Sequence, residues 1–232
     1  YAAQNRILQS KVYLDEATGL PNKNKCEEIL NAPDLLSAQD AVAICVFDLN
    51  NLRNINNNLG HDKGDEYIRS FAVQLRIAVA DEYFVGRDGG DEFIAVLKNV
   101  TRMQVEECLR DIREQAAKYS KEYPEMPISY AVGYAMSQDF EQSTMRELFR
   151  YADKNMYIDK NRAKMEEAAE EKRMNQRLLA KVKEMGYQFS DCLYCDVFMD
   201  QYRVLRASSK FFLAEDGSYS GAVEQIVHKL AT

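Results

Sequence analysis

Three carboxylates stand beside sequence features that could bring them together at one point. Asp48 ends a continuous apolar run over residues 41–49, and Asp91 and Glu92 directly follow two glycines. Carboxylates that meet inside a protein must be separated, protonated or bridged by a cation. Their hard oxygen atoms suit Mg²⁺, which commonly takes one or two carboxylates and completes its shell with phosphate oxygens and water. The pattern therefore indicates phosphoryl transfer, in which metal ions could position an attacking hydroxyl and stabilise charge at phosphorus.

The elements that must position these acids can be predicted from hydrophobic periodicity. Strands are predicted over residues 41–49, 83–85, 93–97 and 128–135. Helices are predicted over residues 23–30, 51–59, 65–80, 101–121 and from 144 onward. The buried side of the last helix is predicted to consist of Leu148, Ala152, Met156 and Tyr157. Gly89 and Gly90 predict a hairpin turn, because glycine tolerates positive φ. If the first two helices between strands are merged into one crossover, the order is the ferredoxin-like β-α-β-β-α-β arrangement. The predicted fold class is α+β, with an antiparallel-centred sheet flanked by helices.

This topology would place the acids side by side. The first two core strands run parallel in it, and the third lies antiparallel between them. The end of the first strand then shares a sheet edge with the hairpin, so Asp48 should lie beside Asp91 and Glu92. A solvated acidic turn is the alternative for Asp91 and Glu92 taken alone, and the glycines and Asp48 favour the site.

Composition limits the classes of function. With 232 residues, 46% of them hydrophobic, the chain can bury a core. A formal charge of −7 argues against a general nucleic-acid binder but not against a nucleotide that arrives with magnesium. No apolar run approaches the roughly 18 residues of a membrane span. The five cysteines are odd in number and scattered, which favours a reducing cytoplasm, and the Cys192–Cys195 pair lacks partners for a zinc site.

Residues 87–93 (RDGGDEF) resemble the signature of GGDEF domains, the diguanylate cyclases. Four further segments fall where that family has its motifs. Residues 15–22 resemble D-x-L-T-G-L-x-N, residues 47–57 resemble F-D-x-D-x-F-K-x-I-N-D, residues 60–65 match G-H-x-x-G-D, and residues 152–160 resemble A-D-x-A-L-Y-x-A-K. The resemblance implies a nucleotidyl cyclase domain with a palm-type fold, assigned here to residues 15–165.

The resemblance also implies roles in catalysis and metal binding. Asp48 and Asp91 would bind Mg²⁺, with help from the backbone carbonyl of Leu49. Asp91 would in addition take a proton from the ribose 3′-hydroxyl, and Glu92 would support the metal site. Arg53 stands where the family has a lysine that acts near phosphate, and a planar guanidinium is not equivalent to an ammonium there.

Five other residues would hold the substrate. Asn56 and Asp65 would recognise guanine, His61 would contact the nucleotide, and Lys160 and Lys164 would contact phosphates. A carboxylate accepts from guanine N1–H and from its amine, whereas adenine offers an acceptor at N1, so Asp65 favours GTP over ATP. The alternatives are a loop or cap role for Asn56, an N-cap role for Asp65, a structural role for His61 and an exposed helix position for Lys160.

The resemblance implies a homodimer that condenses two GTP molecules into cyclic di-GMP under the control of an upstream sensor domain. Three departures from the family pattern support a competing hypothesis: Asn50 replaces an Asp, Arg53 replaces a Lys, and Lys164 replaces an Arg. That competing hypothesis is a degenerate domain that binds GTP as a sensor without catalysis. A structural dimerisation module is a third possibility, for which the acidic residues would have no use.

The two ends of the chain lie outside the resemblance. Residues 1–14 are predicted to end a signalling helix, with Ile7, Leu8 and Val12 on one face. Residues 166–186 are rich in helix formers and predict an extension of the last domain helix to about Met185. Residues 187–232 loosely resemble the start of a sensor module, with strands over 193–198 and 202–205 and a helix over 222–230.

Overall fold

The computed structural model describes residues 12–184, 192–196, 201–206, 213 and 216–231. The chain divides after Lys164 into two compact units. Of the helix face predicted at Ile7, Leu8 and Val12, the first two residues lie outside the described residues, and Val12 is helical and exposed. Within them, no helix combines the length and the apolar character that crossing a membrane requires.

A four-stranded sheet forms the centre of the first unit. In chain order the α-helices and strands that lie wholly within residues 14–184 are α1 (Lys23–Leu30), β1 (Leu35–Ser37), β2 (Ala43–Leu49), α2 (Leu52–Leu59), α3 (His61–Ala78), β3 (Phe84–Gly89), β4 (Glu92–Leu97), α4 (Arg102–Glu122), β5 (Tyr130–Met136), β6 (Gln142–Thr144) and α5 (Met145–Glu184). The sheet order is β3-β4-β2-β5, and β1 pairs with β6. Because β4 is antiparallel to both β2 and β3, these two strands run parallel. The predicted ferredoxin-like arrangement is confirmed.

Helices cover both faces of the sheet. All seven residues of β2 are buried, as expected for a central strand packed on both sides. On one face Phe47 and Phe93 pack with Phe71 of α3 and with α4. On the other face Ile44 and Ile94 pack with α1 and α5. The acids at the end of β2 therefore extend from a rigid, doubly covered strand.

α5 approaches the sheet closely at Gly133 of β5. A Cβ atom added to Gly133 would lie 2.0 Å from the backbone nitrogen of Met156 and 2.3 Å from the carbonyl oxygen of Ala152. Both atoms belong to the α5 backbone, so they cannot yield unless the helix moves. Glycine at this position therefore sets the distance between α5 and the sheet, and with it the position of Lys160 further along the helix.

The start of α3 differs from the prediction. The helix begins at His61, not at Asp65, because Gly60 with φ of 90° both ends α2 and precedes α3 without an intervening linker. Asp65 lies inside the helix, so the hypothesis that it is an N-cap is wrong. The carboxylate of Asp65 is exposed and remains available for another role.

Three other predictions about elements were incomplete or wrong. β3 continues to Gly89, beyond the predicted end at residue 85. A register shift between Arg87 and Gly89 allows both residues to pair with β4, although they belong to a polar segment. The short strands β1 and β6 were not predicted. Tyr157, predicted on the buried side of α5, is 62% exposed, because the buried positions Leu148, Ala152 and Met156 already fill the face toward the sheet.

The described residues of the second unit comprise the C-terminal part of α5, a small antiparallel sheet and one further helix. The elements that follow α5 are β7 (Cys192–Asp196), β8 (Gln201–Arg206), β9 (Asp216–Ser218) and α6 (Tyr219–Ala231), with strand order β7-β8-β9. Tyr202, Leu213 and Ala222 are buried between them. The two strands and the helix predicted in this region are present, and the likeness to a sensor module stays a prediction.

Candidate active site

The end of β2 and the turn between β3 and β4 lie at the same edge of the sheet. Asp48 and Glu92 are direct partners in the β2–β4 ladder. One residue further, the backbone N–H of Leu49 donates to the carbonyl oxygen of Asp91 at 2.9 Å. Directly opposed residues of an antiparallel pair place their side chains on one face of the sheet. The predicted adjacency of Asp48 is thus confirmed for Glu92, on the face covered by α1 and α5. For Asp91 the contact at this edge is that of its backbone carbonyl, and a place for its carboxylate beside Asp48 stays a prediction.

Two glycines form the turn that carries Asp91. Gly89 has φ of 123° and Gly90 has φ of 54°, a region that L-residues adopt only with strain. Gly89 pairs with Glu92, so Gly90 and Asp91 alone connect the two strands. This tight turn fixes Asp91 at the sheet edge, where its side chain is half-buried.

Asp48 is nearly buried and carries an ion pair. Its residue is 7% exposed, and Nζ of Lys160 lies 2.6 Å from its Oδ1 atom. Lys160 reaches Asp48 from α5, which covers this face of the sheet. The hypothesis that Lys160 is merely an exposed helix lysine is therefore wrong, while its contact with phosphate stays a prediction.

Negative charge accumulates around Glu92. Loss of hydration at its carboxylate raises the pKa of Glu92, and the charges of Asp88, Asp48, Asp91 and Asp153 raise it further. A cation at this edge would relieve that repulsion. The carboxylate donors fit Mg²⁺, which takes its other ligands from phosphate and water. Among the described residues, no three His, Cys, Asp or Glu side chains are grouped so as to hold a metal by themselves.

α2 and α3 carry the residues predicted to recognise the base. The amide of Asn56 lies against Gly64, where an added Cβ would be 1.9 Å from Asn56 Oδ1. Gly64 thus lets a side chain of α2 reach the start of α3, next to Asp65 in sequence. Asp65 and His61 are exposed at this end of α3. The structure therefore brings Asn56 to the part of α3 that carries the other two residues.

Arg53 and Lys164 are exposed on α2 and α5. Within residues 12–184, no hydrogen bond or ion pair joins either of them to Asp48, Asp91 or Glu92. Their predicted roles at phosphate remain compatible with these positions, because both long side chains can adopt other rotamers when an anion is present. The roles stay predictions.

A buried tyrosine that was not predicted holds the loop after β2. The hydroxyl of Tyr67 accepts from the Ser129 N–H at 3.0 Å and lies 3.2 Å from the carbonyl oxygens of Asn50 and Ser129. The side-chain amide of Asn50 donates to Ser129 Oγ at 3.0 Å. Asn50, which replaces a family aspartate, therefore ties the end of β2 to the start of β5.

Arg87 fastens the hairpin to the segment that precedes α1. Its guanidinium donates to both carboxylate oxygens of Asp15 at 3.1 Å and to the carbonyl oxygen of Gly90 at 2.8 and 3.1 Å. Its backbone N–H donates to the carbonyl oxygen of Pro21 at 2.8 Å. This role was not predicted, although each partner lies in a quoted motif. The forked donor geometry of arginine suits such a multiple contact, which lysine could not reproduce.

Replacing Asp15 with Asn should lower the unfolding free energy by about 1–2 kcal/mol near neutral pH, because the charged hydrogen bonds to Arg87 are lost. Partial burial alone would raise the pKa of Asp15, but hydrogen bonds from Thr18 and Arg87 outweigh it and hold the pKa below its ordinary value. A lowered folded-state pKa contributes stability above the unfolded value, and that contribution disappears as pH falls through the folded value.

Urea unfolding of wild type and Asp15→Asn at pH 7, 5 and 3 would check this pH dependence. The difference between the two proteins should be constant from pH 7 to 5 and should shrink at pH 3. The exposed Asp111→Asn variant on α4 is the matched control and should follow wild type. A difference that persists unchanged at pH 3 would show that the Asp15 charge is not its source.

Comparison with known proteins supports the family suggested by these motifs. Residues 12–166 match the family described as "Diguanylate cyclase, GGDEF domain". An uncharacterized membrane protein of Staphylococcus saprophyticus is 28% identical over 155 residues, covering 64% of this chain and 43% of that protein. The cyclic di-GMP phosphodiesterase PdeR of Escherichia coli is 26% identical over 165 residues, covering 71% of this chain and 25% of that protein. The chain thus spans less than half the length of these curated relatives.

Solved structures resemble the fold. The GGDEF domain of DgcB from Caulobacter crescentus, in complex with c-di-GMP, has a TM-score of 0.54 at 21% identity and covers 64% of this chain and 90% of that one. A second DgcB structure, which includes the coiled coil, has a TM-score of 0.58 at 19% identity, with coverage of 69% and 86%. The family match extends over more than half of the chain and includes the β2 end and the hairpin. The chain therefore belongs to the GGDEF-domain family of diguanylate cyclases.

Proposed function

We propose that this chain is an active diguanylate cyclase, which condenses two molecules of GTP into cyclic di-GMP with release of pyrophosphate. The observation that carries the proposal is the pairing of Asp48 with Glu92, one residue from the hydrogen bond between Leu49 and Asp91. This pairing places two carboxylates side by side next to the glycine turn, at the edge of a rigid sheet. Such an arrangement has a clear use in a metal-dependent reaction at phosphate and none in a purely structural module.

Three positions would hold the magnesium: the carboxylates of Asp48 and Asp91 and the backbone carbonyl of Leu49. When bound, the metal supplies positive charge that neutralises phosphate oxygens and orients them. Asp91 also accepts the proton of the ribose 3′-hydroxyl, which makes that oxygen a better nucleophile. Glu92 contributes negative charge beside them and so strengthens the attraction for a cation.

The substrate would lie between the sheet edge and the exposed ends of α2 and α3. Asn56 and Asp65 recognise guanine, and His61 contacts the nucleotide. Cationic side chains around the acidic edge bind the phosphates: Arg53, Lys160 and Lys164. Positive groups that converge on a triphosphate position it for attack, and such positioning supplies much of the rate enhancement in phosphoryl transfer.

Each domain carries one site, so the reaction requires two protomers. The 3′-oxygen of one GTP forms a bond to the α-phosphorus of the other, and the bond from that phosphorus to pyrophosphate breaks. A second reaction of the same kind closes the ring. A homodimer, at least a transient one, is therefore part of the proposal, and an upstream sensor domain would control the pairing. The reaction belongs in the cytoplasm, where thiols such as those of Cys26 and Cys45 stay reduced.

Replacing Asp65 with Asn should reduce the preference for GTP over ATP. The amide keeps one acceptor but presents a donor to the second of the two guanine N–H groups, so kcat/KM for GTP should fall about a hundredfold while that for ATP changes little. Steady-state rates with each nucleotide would measure the ratio. Asp62→Asn, an exposed substitution in the first turn of the same helix, should leave it unchanged. An unaltered ratio in Asp65→Asn would remove Asp65 from guanine recognition.

The competing hypothesis is a domain that binds GTP without catalysis. A specific observation favours it: Asn50, where the family has an acid, bonds to Ser129 and adds no charge to the site. Incubation with GTP and Mg²⁺ followed by chromatography separates the possibilities. Dinucleotide formation supports the cyclase, and saturable GTP binding without product supports the sensor. If the protein neither forms a dinucleotide nor binds GTP, the structural module is supported.

A further inference from the structure

The ion pair of Lys160 with Asp48 is more deeply buried than the other ion pairs that a lysine forms with an acid among the described residues. Its side chains are 26% and 10% exposed, whereas those of Lys25 and Glu28 are 36% and 51% exposed. Exposed pairs of this kind contribute little, because water screens both charges. An ion pair that is largely removed from water is held more strongly against separation, because each charge left alone would be poorly hydrated.

α5 is fixed to the sheet by two residues that precede Lys160. The Asn155 side chain donates to the carbonyl oxygen of Tyr134 at 2.9 Å, and the Val132 N–H donates to Oδ2 of Asp159 at 3.1 Å. Gly133 lies between these two points in β5 and touches the helix backbone. α5 is therefore anchored to β5 directly before Lys160, so the ammonium can leave Asp48 by rotation of its own flexible side chain while the helix stays in place.

The ammonium and a metal ion compete for Asp48. The Oδ1 atom that Lys160 binds at 2.6 Å belongs to a carboxylate proposed to bind magnesium. A divalent cation at that carboxylate would also repel an ammonium a few ångströms away. Lys160 must therefore move when the metal binds, and it then needs another anion. A nucleotide triphosphate provides one, because lysine binds phosphate readily as a point charge.

We infer that Lys160 keeps Asp48 closed to metal until the nucleotide arrives, so that magnesium and GTP bind cooperatively and the metal alone binds weakly. The inference rests on the proposed function for the identity of the ligands. Lys160 exchanges the carboxylate for the phosphates, and this exchange frees Asp48 for the metal. Coupling between two ligands through one such element typically changes affinity 5- to 150-fold, about tenfold or more here.

Metal binding without turnover tests the exchange. Paramagnetic Mn²⁺ replaces Mg²⁺, and its binding to the full chain is measured by electron paramagnetic resonance, with and without 3′-deoxy-GTP, which lacks the attacking hydroxyl. Wild type should bind Mn²⁺ at least about tenfold more tightly when the nucleotide is present. Lys160→Met should bind Mn²⁺ alone about tenfold more tightly than wild type, and the nucleotide should add little further affinity.

Two controls separate the ion pair from general charge. Lys154→Met removes one positive charge from an exposed position of the same helix and should bind Mn²⁺ like wild type. Adding Asp48→Asn to Lys160→Met should abolish the gain. If Lys160→Met gains no Mn²⁺ affinity, or if the gain persists in the double variant, the inference is overturned. Turnover of GTP by wild type is measured separately and tests the cyclase proposal alone. A failure of the inference in the Mn²⁺-binding experiment can therefore be distinguished from a failure of the cyclase proposal.

Discussion

Replacing Asp91 with Asn should stop dinucleotide synthesis and leave the fold intact. The amide keeps the size of the side chain but loses the charge that attracts a metal and the acceptor for the 3′-hydroxyl proton. The structural contact at this position, the hydrogen bond to Leu49 N–H, uses the backbone carbonyl of Asp91 and is unaffected. The loss of one preorganised charged group in an active site typically costs about a hundred- to a thousandfold in rate, and two roles meet here.

Turnover of GTP and thermal unfolding of the same protein samples would measure both parts of this prediction. Asp111→Asn, an exposed substitution on α4 away from the sheet edge, is the matched control for charge. The expected result is an Asp91→Asn variant that unfolds like wild type and forms no detectable cyclic di-GMP. Undiminished turnover would exclude Asp91 from the mechanism, and a lowered unfolding temperature would show a structural role for its carboxylate.

Replacing Gly133 with Ala should produce a large loss of stability. The added Cβ would meet two backbone atoms of α5 at 2.0 and 2.3 Å, distances that no rotamer change can relieve. The helix must move away from β5, which opens the core between Ile44, Leu148 and Ala152. Overpacking of a rigid contact costs about 3 kcal/mol of unfolding free energy.

Equilibrium urea unfolding of the full chain would test the Gly133 prediction. Gly221→Ala is the matched control, because its added Cβ would lie 3.6 Å from the nearest atom, Ser218 Oγ, an ordinary contact. That variant should be no less stable than wild type, since alanine favours a helix over glycine. A Gly133→Ala protein within 1 kcal/mol of wild type, as an approximate threshold, would show that α5 adjusts easily.

The sheet order and the adjacency of Asp48 with Glu92 could be predicted because their signals are local. The apolar run that ends at Asp48 and the glycine pair before Asp91 each mark an element, and the ferredoxin-like topology then determines which ends meet. The start of α3 was mispredicted for a local reason as well. Gly60 was expected only to end α2, and its positive φ lets the next helix begin at once.

The contacts made by charged side chains could not be predicted in the same way. Lys160 meets Asp48 across 112 residues of sequence, and Arg87 meets Asp15 across 72. Both depend on how closely a helix or a loop packs on the sheet, which is set by tertiary contacts such as that of Gly133 with α5. Periodicity reports which face of a helix is buried, but it does not report which partner a long cationic side chain reaches.

Product analysis of the full chain with GTP and Mg²⁺ would show whether this protein synthesises cyclic di-GMP. Mass spectrometry would identify the nucleotide formed, a coupled assay would count pyrophosphate, and the rate per protomer would be measured at several protein concentrations. We expect cyclic di-GMP, one pyrophosphate for each GTP consumed, and a rate per protomer that rises with protein concentration as dimers form. Unchanged GTP, or its conversion to GDP and phosphate, would contradict it.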